Sequence, residues 1–134
     1  GFLLDEGCVF QFTQNDKADF KAISQTLKGL EEPVGIFCYH DLIAAQLYRI
    51  CYKLGKQIPN DVGIVGFDDL SIATALSPSL TSVHYRIQTM ADIALKQLFL
   101  NIKNPNCTYD NYYIEPTLIE RGSSGLSEYG ALPD

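Results

Sequence analysis

The sequence predicts an α/β fold, a parallel sheet flanked by helices. Three observations carry that prediction. Strand-like and helix-like segments alternate along the chain, as they do where each strand is followed by a crossover helix. Residues 34–39 (VGIFCY) and 62–67 (VGIVGF) are short apolar runs, and the first has the pattern of a strand covered on both faces. The helices between strands carry their own start and stop residues, such as Gly55 after the segment 42–54.

Taken in order, residues 8–13 (CVFQFT) alternate apolar and polar side chains and predict a half-buried strand. Asn15 or Asp16 then caps a helix whose apolar positions Phe20, Ile23, Leu27 and Leu30 follow helical spacing, and Pro33 ends it. After the strand 34–39, Asp41 is the expected N-cap of a helix over 42–54, with Lys53 and Lys56 near its C-terminus. Ile58-Pro59-Asn60-Asp61 is turn chemistry, and the strand 62–67 ends at Asp68-Asp69. A short polar-apolar stretch over 70–76 precedes the turn Ser77-Pro78-Ser79, and residues 80–84 read as another strand. Residues 88–102 are the clearest helix, with Met90, Ile93, Ala94, Gln97, Leu98 and Ile102 on one stripe, broken by Asn104-Pro105-Asn106. Residues 112–120 (YYIEPTLIE) predict a last strand whose Pro116 marks an edge or a bulge. The Gly/Ser-rich end, residues 123–134, is expected to be a flexible tail.

Composition bounds the function. A chain of 134 residues, 46% hydrophobic and 19% charged, has the make-up of a globular protein with a real core. No apolar run approaches the roughly 20 residues that span a bilayer, so no membrane partner is expected. Gly1-Phe2-Leu3-Leu4 runs straight into Asp5 and Glu6 with no basic start, which predicts no signal peptide. The missing initiator Met predicts a piece of a longer protein. A net charge of −6 with ten scattered basic residues argues against nucleic-acid binding by this chain itself. Cys8, Cys38, Cys51 and Cys107 form no CxxC and no metal-like pairing with His40 or His84, so reduced, buried thiols in a cytoplasmic protein are expected.

No catalytic motif stands out. GxSxG, HExxH and a P-loop are absent, and Gly63-Ile64-Val65-Gly66 lies within a strand. The chain is therefore expected to be no enzyme and to need no cofactor. In a parallel sheet the site lies at the carboxyl ends of the strands, which singles out Tyr39-His40-Asp41 and Asp68-Asp69. One of the two strand-end acids is expected to cap the element near Leu70, and the other to accept hydrogen bonds from a polar ligand. His40 fits either a structural role or a ligand contact; His84, in an alternating strand, is expected at the solvent face. The helix 42–54 is apolar nearly all round, so it is buried on more than one side, by a neighbouring helix or by another subunit.

These residues carry a family resemblance. The segments from Gly35 to Ala44, from Leu54 through Gly66-Phe67-Asp68-Asp69, from Leu76 to Val83, and Ile119-Glu120-Arg121 resemble, in order, signature segments of LacI-type (lactose-repressor) transcriptional regulators. The resemblance implies a core like that of periplasmic sugar-binding proteins, in which two Rossmann-like lobes close on a small effector. A helix-turn-helix domain preceding the core would bind operator DNA. It assigns residues 1–80 to the C-terminal lobe and 81–122 to the N-terminal lobe, whose sheet, with an effector-contacting arginine, would lie before Gly1. Asp68 matches the effector-contacting aspartate, and His40 stands where Asn is usual. Tyr85 and Ile87 match lobe-crossing positions that line the cleft, and Asn15 and Asp16 match a contact loop, here without an aromatic. Ala45, Arg49, Ile72 and Leu76 fall on the surfaces by which such proteins form homodimers. The implied effector is a sugar or sugar phosphate, less often a purine. A solute-binding protein of a sugar transport system shares the fold and is the alternative.

Overall fold

A computed structural model of the chain describes Val9, residues 16–104 and residues 111–125. The expected strand over residues 8–13, Asn15, Cys8 and Cys107 lie outside the described residues, Val9 excepted. The elements are α1 (Asp16–Gly29), β1 (Val34–Phe37), α2 (Asp41–Leu54), β2 (Val62–Phe67), α3 (Ser71–Ala75), β3 (Thr81–His84), α4 (Ile87–Lys103) and β4 (Thr117–Ile119). They follow the predicted order closely.

One sheet holds all four strands, in the order β1-β2-β3-β4. β1 and β2 pair in parallel from Val34↔Val62 to Phe37↔Val65, and β2 pairs in parallel with β3 from Val65↔Thr81 to Phe67↔Val83. β4 returns antiparallel along β3, with His84 opposite Thr117, and forms the edge that Pro116 foretold. Thr81, where β3 begins, is laddered to Val65 of β2. One expectation is corrected here. Of the last predicted strand only residues 117–119 pair; Tyr113 before them is 92% exposed.

The core forms where helical stripes meet one sheet face. Ile23 and Leu27 of α1, Ala44, Leu47 and Cys51 of α2, and Val62 and Ile64 of β2 are buried together with Ala73 and Leu80. α2 packs on β2, α1 and α3, so helices of this chain cover much of the surface that its composition left to explain. Leu42 and Tyr52 stay exposed. The other sheet face is open among the described residues: Phe37 is 63% exposed, which corrects the expectation of a strand covered on both sides. α4 buries none of its residues, and Ile87, Met90, Leu98 and Ile102 are exposed along it.

Local chemistry fixes the joints. Gly55 closes α2 in the left-handed region (φ 69°), its N–H reaching the carbonyls of Cys51 and Tyr52. Lys56 Nζ donates to Leu30 O at 2.7 Å, tying the turn after α2 to the end of α1. Ser123, the first residue of the expected tail, is fully buried. Its carbonyl accepts from Ile64 N, and its hydroxyl donates to Ile64 O and accepts from Thr81 N. It thereby ties the segment after β4 to β2 and to the start of β3; residues 126–134 lie outside the described residues.

Cys38 and Cys51 are free and buried, as expected of thiols that pack as small apolar groups. Burial, with Asp41 and Cys51 nearby, pushes the Cys38 thiol from 9.0 up to about 12. The folded state therefore keeps a proton that the unfolded chain releases, so this contribution is present below pH 9.0 and is lost as pH rises toward about 12. The stability advantage of wild type over Cys38→Ala in urea unfolding is expected to shrink across that interval. A constant difference from about pH 8 to 11 would refute it.

Candidate functional site

The carboxyl ends of β1, β2 and β3 converge, and they bring predicted residues together. His40 follows β1 and is the N-cap of α2: its Nδ1 accepts from Leu42 N at 3.1 Å. Asp41 was the expected cap and is not. It is fully buried, with Oδ2 accepting from Leu70 N at 2.7 Å and Oδ1 accepting from Ser82 Oγ at 2.7 Å. The carboxylate thus joins the start of α2 to β3 and to the entry of α3. Gly66 makes room for it, since a Cβ there would overlap Asp41 Oδ1.

The strand-end acids divide their work, though not as expected. Neither caps α3, whose entry amide is taken by Asp41. Asp69 is anchored: Arg121 Nη2 sits 2.6 Å from its Oδ1, and His84 Nδ1 lies 3.3 Å from its Oδ2, out of hydrogen-bond alignment. Arg121 also donates to Leu80 O at 2.7 Å. His84, expected at the solvent face, keeps 38% of its side chain exposed, while its Nδ1 beside Asp69 is buried.

Asp68 takes the other part. Its Oδ2 lies 3.2 Å from His40 Nε2, with the aspartate side chain 13% exposed. Both acids have positive φ, 100° at Asp68 and 52° at Asp69; aspartate adopts the second value more readily than most residues, and the first is the less common. The bonds at their amides are Asp68 N to Val83 O at 3.0 Å and Asp69 N to Ser82 Oγ at 3.1 Å. Beside them Phe67 stacks on Tyr85, ring centroids 5.5 Å apart and planes 20° apart. The result is a carboxylate with one oxygen beside an imidazole, next to a paired aromatic surface. Such a pair of features suits a ligand that has both hydrogen-bond donors and an apolar face.

The remaining predicted residues are more scattered. Ile87 opens α4 and is 52% exposed. Asp16 opens α1, and Asn15 lies outside the described residues. Ala45, Arg49 and Leu76 line one groove with Tyr48, Tyr52, Lys53, Ala75 and Ser77, while Ile72, half-buried on α3, is not among its lining residues. Phe67 and Ser82 build the site without having been expected there. The aromatic pair had one available signal, an aromatic closing β2 and another following β3.

This fold and strand-end site define an α/β ligand-binding domain of the periplasmic-binding-protein kind. The model of the periplasmic binding protein-like domain matches residues 6–124, and the chain belongs to that family. Among curated relatives, the ribose operon repressor of Haemophilus influenzae is 35% identical over 101 residues, which are 75% of this chain and 30% of that protein. The ribose operon repressor of Escherichia coli is 30% identical over 105 residues, 78% of this chain and 32% of that one. The HTH-type transcriptional repressor PurR of Erwinia tasmaniensis is 27% identical over 129 residues, 96% and 38% of the two chains. The chain thus spans about a third of the length of these relatives. A LacI family regulator of Enterococcus faecalis, solved with bound ribose, superposes with TM-score 0.73 at 28% identity, over 86% of this chain and 42% of that one. A periplasmic binding protein/LacI regulator of Alkaliphilus metalliredigens in complex with D-xylulofuranose gives 0.62 at 31%, over 85% and 42%. The chain is an effector-binding region of the LacI type. Among the described residues no helix is long and apolar enough to cross a membrane.

Proposed function

We propose that the chain is the effector-sensing and dimerising portion of a cytoplasmic LacI-type repressor whose helix-turn-helix domain lies outside it. The carrying observation is Asp68: a carboxylate at the end of β2, at positive φ, with one oxygen 3.2 Å from His40 Nε2. A sugar hydroxyl donates to the remaining oxygen, and the C–H face of the ring packs near Phe67 and Tyr85. Relatives named as ribose operon repressors, and neighbours solved with ribose and D-xylulofuranose, favour a sugar over a purine. They also favour a regulator over a transport protein. α4, apolar and uncovered, belongs with the N-terminal lobe, against which β1–β3 close on the effector. The groove at Ala45, Arg49 and Leu76 faces a second copy.

Effector changes DNA affinity only by binding one lobe arrangement better than the other. Asp68→Ala in the full-length protein is therefore expected to abolish the response to D-ribose in an operator-binding titration while leaving the dimer intact by ultracentrifugation. An undiminished response excludes Asp68 as the contact.

A further inference from the structure

We propose that His40 is a positioning residue that fixes the Asp68 carboxylate, and that it does not itself contact the effector. Both of its ring nitrogens face groups of this chain, one of them in a hydrogen bond. Nδ1 accepts the Leu42 amide N–H at 3.1 Å, so that nitrogen carries no proton. The ring proton then sits on Nε2, which lies 3.2 Å from Asp68 Oδ2, near enough for a small rotation of either side chain to align the donor with that oxygen. A backbone amide at the first turn of α2 thereby selects the imidazole tautomer, and the tautomer selects which oxygen of Asp68 is occupied. Oδ2 is held, and Oδ1 is left for the effector.

The consequence is a recognition rule. Asp68 offers one oxygen in one orientation, so the site takes a single hydroxyl or N–H donor there in place of a bidentate grip on two. A cationic guanidinium or amidinium, which matches both oxygens of a free carboxylate, is disfavoured. The pin also restrains a side chain whose backbone stands at φ 100°, and ordering it before binding lowers the cost of binding. Asn at position 40 keeps a good N-cap but reaches the amide and Asp68 with one short amide group. Substituting it separates the two functions of the ring.

This inference rests on the assignment of Asp68 as effector contact, and the test keeps the two apart. Histidine-labelled full-length protein is read by 15N ring spectroscopy, with His40→Asn identifying the signals. Expected are a bare Nδ1 and a protonated Nε2, with the Nε2 signal shifting in Asp68→Asn and not in Asp69→Asn. A proton on Nδ1, rapid tautomer exchange, or insensitivity to Asp68→Asn overturns the proposal whatever the effector. In calorimetric titration with D-ribose, His40→Asn is expected to weaken binding about tenfold, the loss of one charge-assisted hydrogen bond, with its melting temperature near wild type. Unchanged affinity in His40→Asn beside lost affinity in Asp68→Ala overturns the positioning role. Unchanged affinity in both variants overturns the contact role of Asp68, and with it the effect of His40 on binding.

Discussion

Gly66→Ala is expected to destabilise the protein by about 2–4 kcal/mol, the upper range for forcing atoms into a packed interior. The reason is local. A Cβ at this position overlaps Asp41 Oδ1 and comes within 2.9 Å of Leu80 Cδ2. Neither neighbour has somewhere to go, because Asp41 is fully buried with both oxygens bonded and Leu80 is fully buried. Moving the carboxylate strands the Leu70 amide and the Ser82 hydroxyl, each costing about 1–3 kcal/mol if left unpaired. Asp41→Ala alone leaves those same donors unpaired and is expected to cost a similar amount. The double variant is then less damaging than the two losses added, since the methyl group introduced by Gly66→Ala no longer meets a carboxylate. Urea midpoints of the four proteins measure the coupling. Strict additivity, or a Gly66→Ala loss below about 1 kcal/mol, contradicts the close approach.

That cluster also shows what a reader of the sequence could and could not see. β2 and α2 were legible because VGIVGF is an apolar run between turns and the helix carries its stop at Gly55. Asp41 read as a cap because aspartates that begin apolar helices commonly are. Here the preceding imidazole reached the Leu42 amide first, freeing Asp41 for bonds to residues 29 and 41 positions away. Sheet membership was illegible for a related reason. β3 and β4 are four and three residues long, too short to state their partners, and pairing of β3 with β2 is a tertiary choice. That His40, Asp68 and Asp69 stand at strand ends was legible because it depends on topology, which alternation does reveal. The pairing that anchors Asp69 spans 52 positions, and nothing local announces it.

That distant anchor supports the second large effect. Arg121→Met is expected to cost about 2–4 kcal/mol, somewhat below the range for breaking a fully buried ion pair because both side chains keep some solvent contact, 16% and 18%. The methionine keeps much of the apolar stem but removes both side-chain bonds, to Asp69 Oδ1 and to Leu80 O. Asp69 is then left with a misaligned His84 nitrogen as its nearest partner. An unpaired, largely buried carboxylate is the main penalty, so Arg121→Met with Asp69→Asn is expected to recover part of the loss. Asparagine tolerates the left-handed φ of 52° that residue 69 must keep. The effect extends to function. Arg121 follows β4 and bonds Asp69, the neighbour of Asp68, so its removal is expected to loosen Asp68 as well. Loss of that bond lets the strand end relax, and the D-ribose response of the full-length protein is expected to fall more than the loss of folded protein accounts for. Denaturation midpoints and effector titrations on folded protein separate the two effects. If Arg121→Met binds D-ribose like wild type at a temperature where both are folded, Arg121 stabilises the sheet edge and has no part in presenting Asp68.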